Sequence, residues 1–120
     1  MKYRESEEMY LETILLLKQN NPVVYSIDIA NELNYSRASV SRAVSLLCKK
    51  QYITVDKSGA ISFTEQGITR ANEIYTRHTV ITKLLKKMGA DDKLAEDNAC
   101  RIEHVISDEL VDVIKNYLQK

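Results

Sequence analysis

The sequence predicts a mainly α-helical protein: a winged helix-turn-helix with a two-stranded β-wing, followed by a helical second half. Three observations predict it. Three Gly and one Pro punctuate 120 residues, which leaves few long loops. Two short segments, 26–33 and 36–50, meet at a tight turn, and the second is basic and rich in Ser. Alternating residues then follow directly as a hairpin, the position of a wing.

The elements follow in order. Residues 5–19 form the first helix, with Met9, Leu11, Ile14, Leu15 and Leu17 as its apolar stripe and Ser6 as its N-cap. Asn20-Asn21-Pro22 ends it. Ser26 caps a short helix through Leu33, with Asp28 in its first turn. Asn34-Tyr35 is the turn, and Ser36 caps a third helix to about Lys50 with Val40, Val44 and Leu47 facing inward. Strands at 52–56 and 60–63 place Ile53, Val55, Ile61 and Phe63 on one face, joined through Lys57-Ser58-Gly59. Thr64 caps a long helix to about Met88, and Gly89 is its C-terminal cap. Asp91 or Asp92 opens the next helix, with residues 94–106 helical. Ser107 starts a last helix ending near Leu118. The expected division is 1–63 for DNA binding and 64–120 for the helical half, with the helix over about 64–88 linking them.

Charge is zero overall but unevenly spread. Residues 34–57 carry Arg37, Arg42, Lys49, Lys50 and Lys57 against Asp56, an excess of four positive charges. Residues 89–112 carry eight acids against Lys93 and Arg101, an excess of six negative charges. One basic and one acidic stretch suggest polyanion binding and cation binding, although solvated helix faces give the same bias. No apolar run approaches the roughly 20 residues of a membrane span, and the N-terminus has no secretory apolar region. Cys48 and Cys100 make no disulfide framework. A cytoplasmic protein with no membrane partner is expected.

The acidic stretch contains Cys100-Arg101-Ile102-Glu103-His104. On a helix, positions i, i+3 and i+4 lie within an arc of about 100°. A thiol, a carboxylate and an imidazole can then converge, a mixed set suited to a divalent first-row metal. A coincidental Cys, Glu and His on a solvated helix fits this local pattern equally well. The basic stretch supplies candidate DNA contacts. Ser36, Arg37, Ser39, Ser41 and Arg42 stand near the start of the recognition helix, where base edges are read. Lys49, Lys50 and Lys57 are placed for phosphates.

Cys100 and His104 could mimic a nucleophile and base, but no orienting group, phosphate loop or oxyanion motif accompanies them, so an enzyme is not expected. A structural zinc site would need Cys-x-x-Cys or His-x3-His spacing, which does not occur. A winged-helix regulator sensing a small organic ligand is the alternative function, and it would leave Cys100, Glu103 and His104 incidental. Val105, Ile106, Leu110, Val111, Val113, Ile114, Tyr117 and Leu118 offer more apolar surface than two short helices bury, which points to a homodimer.

The chain resembles the diphtheria toxin repressor family of metal-dependent transcriptional regulators, which includes the manganese transport regulators. The resemblance runs over nearly all 120 residues. It is carried by Glu8-Met9-Tyr10-Leu11-Glu12, by Asp28-Ile29-Ala30 with Leu33, by Ser39-Val40-Ser41, and by Phe63-Thr64 with Gly67. Arg77-His78 and the run from Ala99 to Glu109 complete it, and that run is its most specific part. The resemblance implies a winged-helix domain followed by a helical metal-binding and dimerisation domain, with the metal site at their junction. It implies a homodimer that binds double-stranded operator DNA when metal is bound, usually repressing metal-uptake genes.

By position, Met9, Cys100, Glu103 and His104 match the primary metal site of iron-type members. His78 matches a histidine that ligates metal in both branches, and Glu12 matches a carboxylate ligand of the manganese branch. Thr82 and Glu96 stand where iron-type members place an ancillary Glu and His. Thr is a poor ligand, and Glu96 stays a secondary candidate. The chain ends at Lys120, before the small C-terminal barrel of longer members. Met9 and Cys100 are soft, Glu12 and Glu103 hard, the histidines intermediate. Soft ligands favour Fe²⁺ over Mn²⁺ as the expected effector.

Overall fold

The structure is a computed structural model that describes residues 2–120, with side chains described from Glu7 onward. Among the described residues the order is α1 (Lys2–Asn20), α2 (Ser26–Leu33), α3 (Arg37–Lys49), β1 (Ile53–Val55), β2 (Ile61–Phe63), α4 (Glu65–Lys87), α5 (Asp92–Ile102) and α6 (Asp108–Leu118). The expected mainly α, winged helix-turn-helix class is observed. No described helix is long and apolar enough to cross a membrane. The chain forms two compact units, one spanning Ser6–Asn72 and the other containing Glu73–Lys120, so the boundary falls inside α4.

Helix α1 begins earlier than expected. Ser6 lies inside the helix and does not cap it. The preceding Lys2, Arg4 and Glu5 are good helix formers, and nothing in 2–5 breaks the helix. Leu11 and Ile14 are fully buried on its inner face. Ser26 does not cap α2 either. Tyr25 is the N-cap, with extended backbone, and Asp28 three residues on accepts its N–H at 2.8 Å. The N3 acid reaches back to the N-cap N–H, the second half of a capping box. Asn34 closes α2 in the left-handed region (φ 57°), a conformation its short amide tolerates. Ser36 caps α3 as expected, accepting the Ser39 N–H at 3.1 Å.

The wing is an antiparallel pair with register Ile53↔Phe63, Thr54↔Ser62 and Val55↔Ile61. Its inner face is less uniform than alternation suggests. Ile53 and Ile61 are buried, but Val55 is exposed. Ile61 gains cover through a bridge to Val24, with its N–H on the Val24 carbonyl at 2.8 Å. Val55 sits at the loop end of β1, and β1 has no second neighbour among the described strands. At the wing tip, Asp56 Oδ1 accepts from the Ser58 N–H, the Ser58 hydroxyl and the Ala60 N–H at 2.9, 2.7 and 3.0 Å. Thr64 caps α4, accepting the Gly67 N–H at 3.0 Å.

In the second unit, α4 ends in a Schellman closure. Ala90 N–H bonds the Leu85 carbonyl, Gly89 N–H bonds the Lys86 carbonyl, and Gly89 has φ 111°. Asp91 caps α5 through the Leu94 N–H at 2.8 Å, and Ser107 caps α6 through the Leu110 N–H at 3.2 Å. A small core joins Val80 of α4 to Val111 and Ile114 of α6, with Leu84, Ile106 and Leu118 packed against it. Helix α5 is shorter than the expected 94–106 run. It stops at Ile102, and 103–105 form a turn. The cause is the next cap: Ser107 must be extended (φ −77°, ψ 153°) to start α6. The chain tightens before it, with both Val105 and Ile106 N–H groups on the Ile102 carbonyl.

A candidate metal centre

The second unit assembles a carboxylate and imidazole cluster from α4, α5 and the turn after α5. Glu103 and His104 lie in the turn, not on a helix as the spacing suggested. The i, i+3 relation to Cys100 survives because Glu103 keeps helical backbone (φ −59°, ψ −25°) and its N–H bonds the Ala99 carbonyl at 2.9 Å. Cys100, Glu103 and His104 each offer a ligand atom within 4.8 Å of the others. Cys100 is exposed, while Glu103 and His104 are buried.

Glu103 is the centre of the cluster. Its carboxylate is fully buried, and neither oxygen accepts a hydrogen bond among the described residues. Two ring nitrogens face it instead: His78 Nδ1 lies 3.2 Å from Oε2, and His104 Nε2 lies 3.4 Å from Oε1. Burying a carboxylate without full hydrogen bonding is costly, and a cation among such groups offsets that cost. The cluster combines hard oxygen, intermediate nitrogen and soft sulfur, so it fits a divalent first-row metal.

His78 touches this group through Glu103. Its other nitrogen, Nε2, lies 2.7 Å from Glu96 Oε2. Thr82, a poor ligand, donates its hydroxyl to the His78 carbonyl at 2.8 Å. In the first unit, Met9 is half-buried and its Sδ accepts the Tyr35 hydroxyl at 3.8 Å, while Glu12 is buried.

The residues expected to meet DNA lie on and around α3. Arg37, Ser41, Arg42, Lys49, Lys50 and Lys57 are exposed. Arg42 Nη2 donates to Ser39 Oγ at 3.4 Å, and Ser36 Oγ donates to Ser39 Oγ at 3.0 Å. Ser36 is therefore engaged as a cap and as a partner of Ser39. Lys50 pairs with Glu7, whose hydrogen bond raises the ammonium's pKa above its ordinary value.

Sequence reading missed one buried pair. Glu8, fully buried, accepts from Arg70 Nη2 at 2.7 Å. The signal was present: Glu8 shares a helical stripe with Leu11 and Leu15 at i, i+3 and i+7, where an acid is out of place unless paired.

A winged helix-turn-helix in a chain that also carries a metal-fitting cluster defines the class of metal-dependent DNA-binding regulators. Residues 2–61 match the family model "Iron dependent repressor, N-terminal DNA binding domain", and residues 64–120 match "Iron dependent repressor, metal binding and dimerisation domain". The chain belongs to the iron-dependent repressor family, whose members are transcriptional regulators and not enzymes. It is 33% identical over 118 residues to an uncharacterised helix-turn-helix transcriptional regulator of Methanocaldococcus jannaschii, covering 97% of this chain and 94% of that one. It is 32% identical over 117 residues to the diphtheria toxin repressor of Corynebacterium diphtheriae, covering 93% of this chain and 52% of that protein. The chain thus spans about half the length of that repressor. A manganese-dependent transcriptional repressor solved with manganese shares the fold at a TM-score of 0.86 and 23% identity, over 94% of this chain and 52% of that one.

Proposed function

We propose that this chain is a cytoplasmic repressor of metal-uptake genes whose binding to double-stranded operator DNA is switched on by Fe²⁺, with Mn²⁺ the next choice. Residues 1–63 bind DNA, and residues 64–120 bind metal and form the homodimer. His78, Cys100, Glu103 and His104 hold the cation, Met9 and Glu12 are further ligands, and Glu96 is the weakest ligand candidate. The observation that carries the reading is the buried Glu103 carboxylate, which accepts no hydrogen bond among the described residues and faces ring nitrogens at 3.2 and 3.4 Å.

The bound ion supplies positive charge that neutralises these carboxylates. The chain's own residues do the rest. Met9 and Cys100 favour a softer ion than Mn²⁺, while Glu12 and Glu103 keep harder ions in contention. An ion that binds the DNA-competent arrangement of the dimer more tightly shifts the population toward it. Exposed Leu110, Val113 and Tyr117 on α6 supply an apolar stripe for a second copy.

The test is binding to DNA upstream of the chain's own gene and of neighbouring transport genes, under anaerobic conditions with Fe²⁺, Mn²⁺ and Zn²⁺ titrated separately. Tight binding with Fe²⁺ alone supports the reading. An equal or better response to Mn²⁺ overturns the choice of metal, and binding indifferent to every metal overturns the reading itself.

A further inference from the structure

We propose that Glu96 is a positioning residue: it accepts the Nε2–H of His78, sets the tautomer of the ring, and thereby presents the Nδ1 lone pair to the cation seated at Glu103. The inference rests on the metal-centre reading and assigns Glu96 a role other than direct ligation. A neutral imidazole carries one ring hydrogen, so its two nitrogens cannot both donate. Glu96 Oε2 lies 2.7 Å from Nε2, the length of a charge-assisted hydrogen bond, whereas Glu103 Oε2 lies 3.2 Å from Nδ1. The shorter contact claims the hydrogen. Nδ1 then turns a lone pair toward a carboxylate oxygen, an arrangement that repels until a cation sits between them.

The fold holds this arrangement from both ends. On the α4 side, the His78 ring stacks on Tyr75, with centroids 6.5 Å apart and planes 15° apart. On the α5 side, Glu96 precedes Cys100 by four residues, so one helix face carries both a ligand candidate and the support for another. The Glu96 side chain is 54% exposed, as suits a group outside the cluster's interior. Carboxylate partners of this kind raise ligand basicity and hold the ring in place, and losing one costs about 10- to 100-fold in metal affinity.

The test uses the full chain loaded with Zn²⁺, which is diamagnetic. Long-range ¹⁵N–¹H spectra of the His78 ring are expected to show hydrogen on Nε2 and metal on Nδ1. Glu96→Ala is expected to weaken Zn²⁺ binding by about 10- to 100-fold with the ion stoichiometry unchanged. Glu96→Gln, whose amide oxygen still accepts, is expected to recover most of that loss and keep the tautomer. Metal on Nε2, unchanged affinity in Glu96→Ala, or loss of an ion in both variants overturns the positioning role. Glu103→Ala separates the two levels. If it binds Zn²⁺ like the wild type, the metal-centre reading falls and this inference falls with it. If it loses binding while both Glu96 variants behave as wild type, the positioning role alone falls.

Discussion

Glu8 and Arg70, 62 residues apart, form a 2.7 Å ion pair between α1 and α4, with the carboxylate fully buried and the guanidinium partly exposed. Removing Arg70 takes a cationic partner from a carboxylate that is out of reach of solvent. Breaking a fully buried pair costs about 3–5 kcal/mol, and the 27% exposure of Arg70 reduces this, so Arg70→Met is expected to destabilise by about 2 kcal/mol. Replacing both, Arg70→Met with Glu8→Leu, removes the buried charge as well, so the double is expected to lose less than its singles together. Denaturant midpoints of the two singles and the double check this. A double variant as unstable as the sum of its singles would deny the coupling.

Arg42 lies on the exposed face of α3 with its guanidinium against Ser39. A bidentate base contact is worth about 1–3 kcal/mol, so Arg42→Ala is expected to weaken operator binding roughly 5- to 150-fold. Metal affinity should not change. Arg42→Lys should not restore binding, because a point charge does not reproduce the planar fork. Operator titrations at fixed salt, beside a metal titration without DNA, separate the two effects. Unchanged operator affinity in Arg42→Ala would remove this residue from the readout.

Two glycines give unequal substitution costs for different reasons. A Cβ at Gly67 would lie 1.8 Å from the Tyr52 carbonyl oxygen, which is backbone and also accepts the Thr64 N–H. Gly67→Ala is expected to destabilise by about 3 kcal/mol, the upper range for overpacking. A Cβ at Gly89 meets nothing within 4 Å, so the φ of +111° is its only obstacle. Gly89→Ala should cost about 1 kcal/mol. Thermal unfolding of both variants tests the order, and equal losses would mean that space at Gly67 does not matter.

The wing tip carries a pH dependence of its own. The Ser58 hydroxyl, and then the Ala60 N–H, hold the Asp56 carboxyl below its ordinary value of 3.8. A lowered folded pKa means this contribution is complete above the unfolded value and disappears as pH falls through the folded one. The Ser58 and Ala60 amide resonances are therefore expected to titrate together at a pH below the usual aspartate range, and Asp56→Asn should abolish that titration. Midpoints at the ordinary value would show that the tip hydrogen bonds do not hold in solution.

The parts legible in the sequence were those set by neighbours in the chain. Ser36, Thr64, Asp91 and Ser107 cap the helices they precede, because a cap needs only its own backbone and the next three residues. The left-handed Gly89 closure is equally local. Misreadings arose where a second local device competed. Asp28 reaches back to cap α2, which makes Ser26 its first residue, and α5 gives up its last turn so that Ser107 can be extended. Non-local events left weaker signals. The bridge from Val24 to Ile61 buries one end of the wing while Val55 stays exposed, and alternation does not distinguish the two. Within the candidate site, the spacing of Cys100, Glu103 and His104 was readable. The placement of Glu96 against His78 was not, because it depends on how α5 packs on α4.

Glu103 should be unnecessary for the metal-free fold. Its buried carboxylate accepts no hydrogen bond among the described residues, so in the absence of metal it carries a desolvation cost. Glu103→Gln keeps the shape and removes the charge. The metal-free variant is therefore expected to unfold at the wild-type temperature or above it. Added metal stabilises any protein that binds it only when folded, by about 2.7 kcal/mol at 100 times Kd. Wild type should show that rise in Tm with Fe²⁺ or Mn²⁺ and the variant should not, and metal-dependent operator binding should be lost with it. The outcome separates a ligand from a structural acid. A metal-free Glu103→Gln that unfolds well below wild type would make Glu103 part of the folding core. A variant whose Tm still rises with metal would place the cation elsewhere.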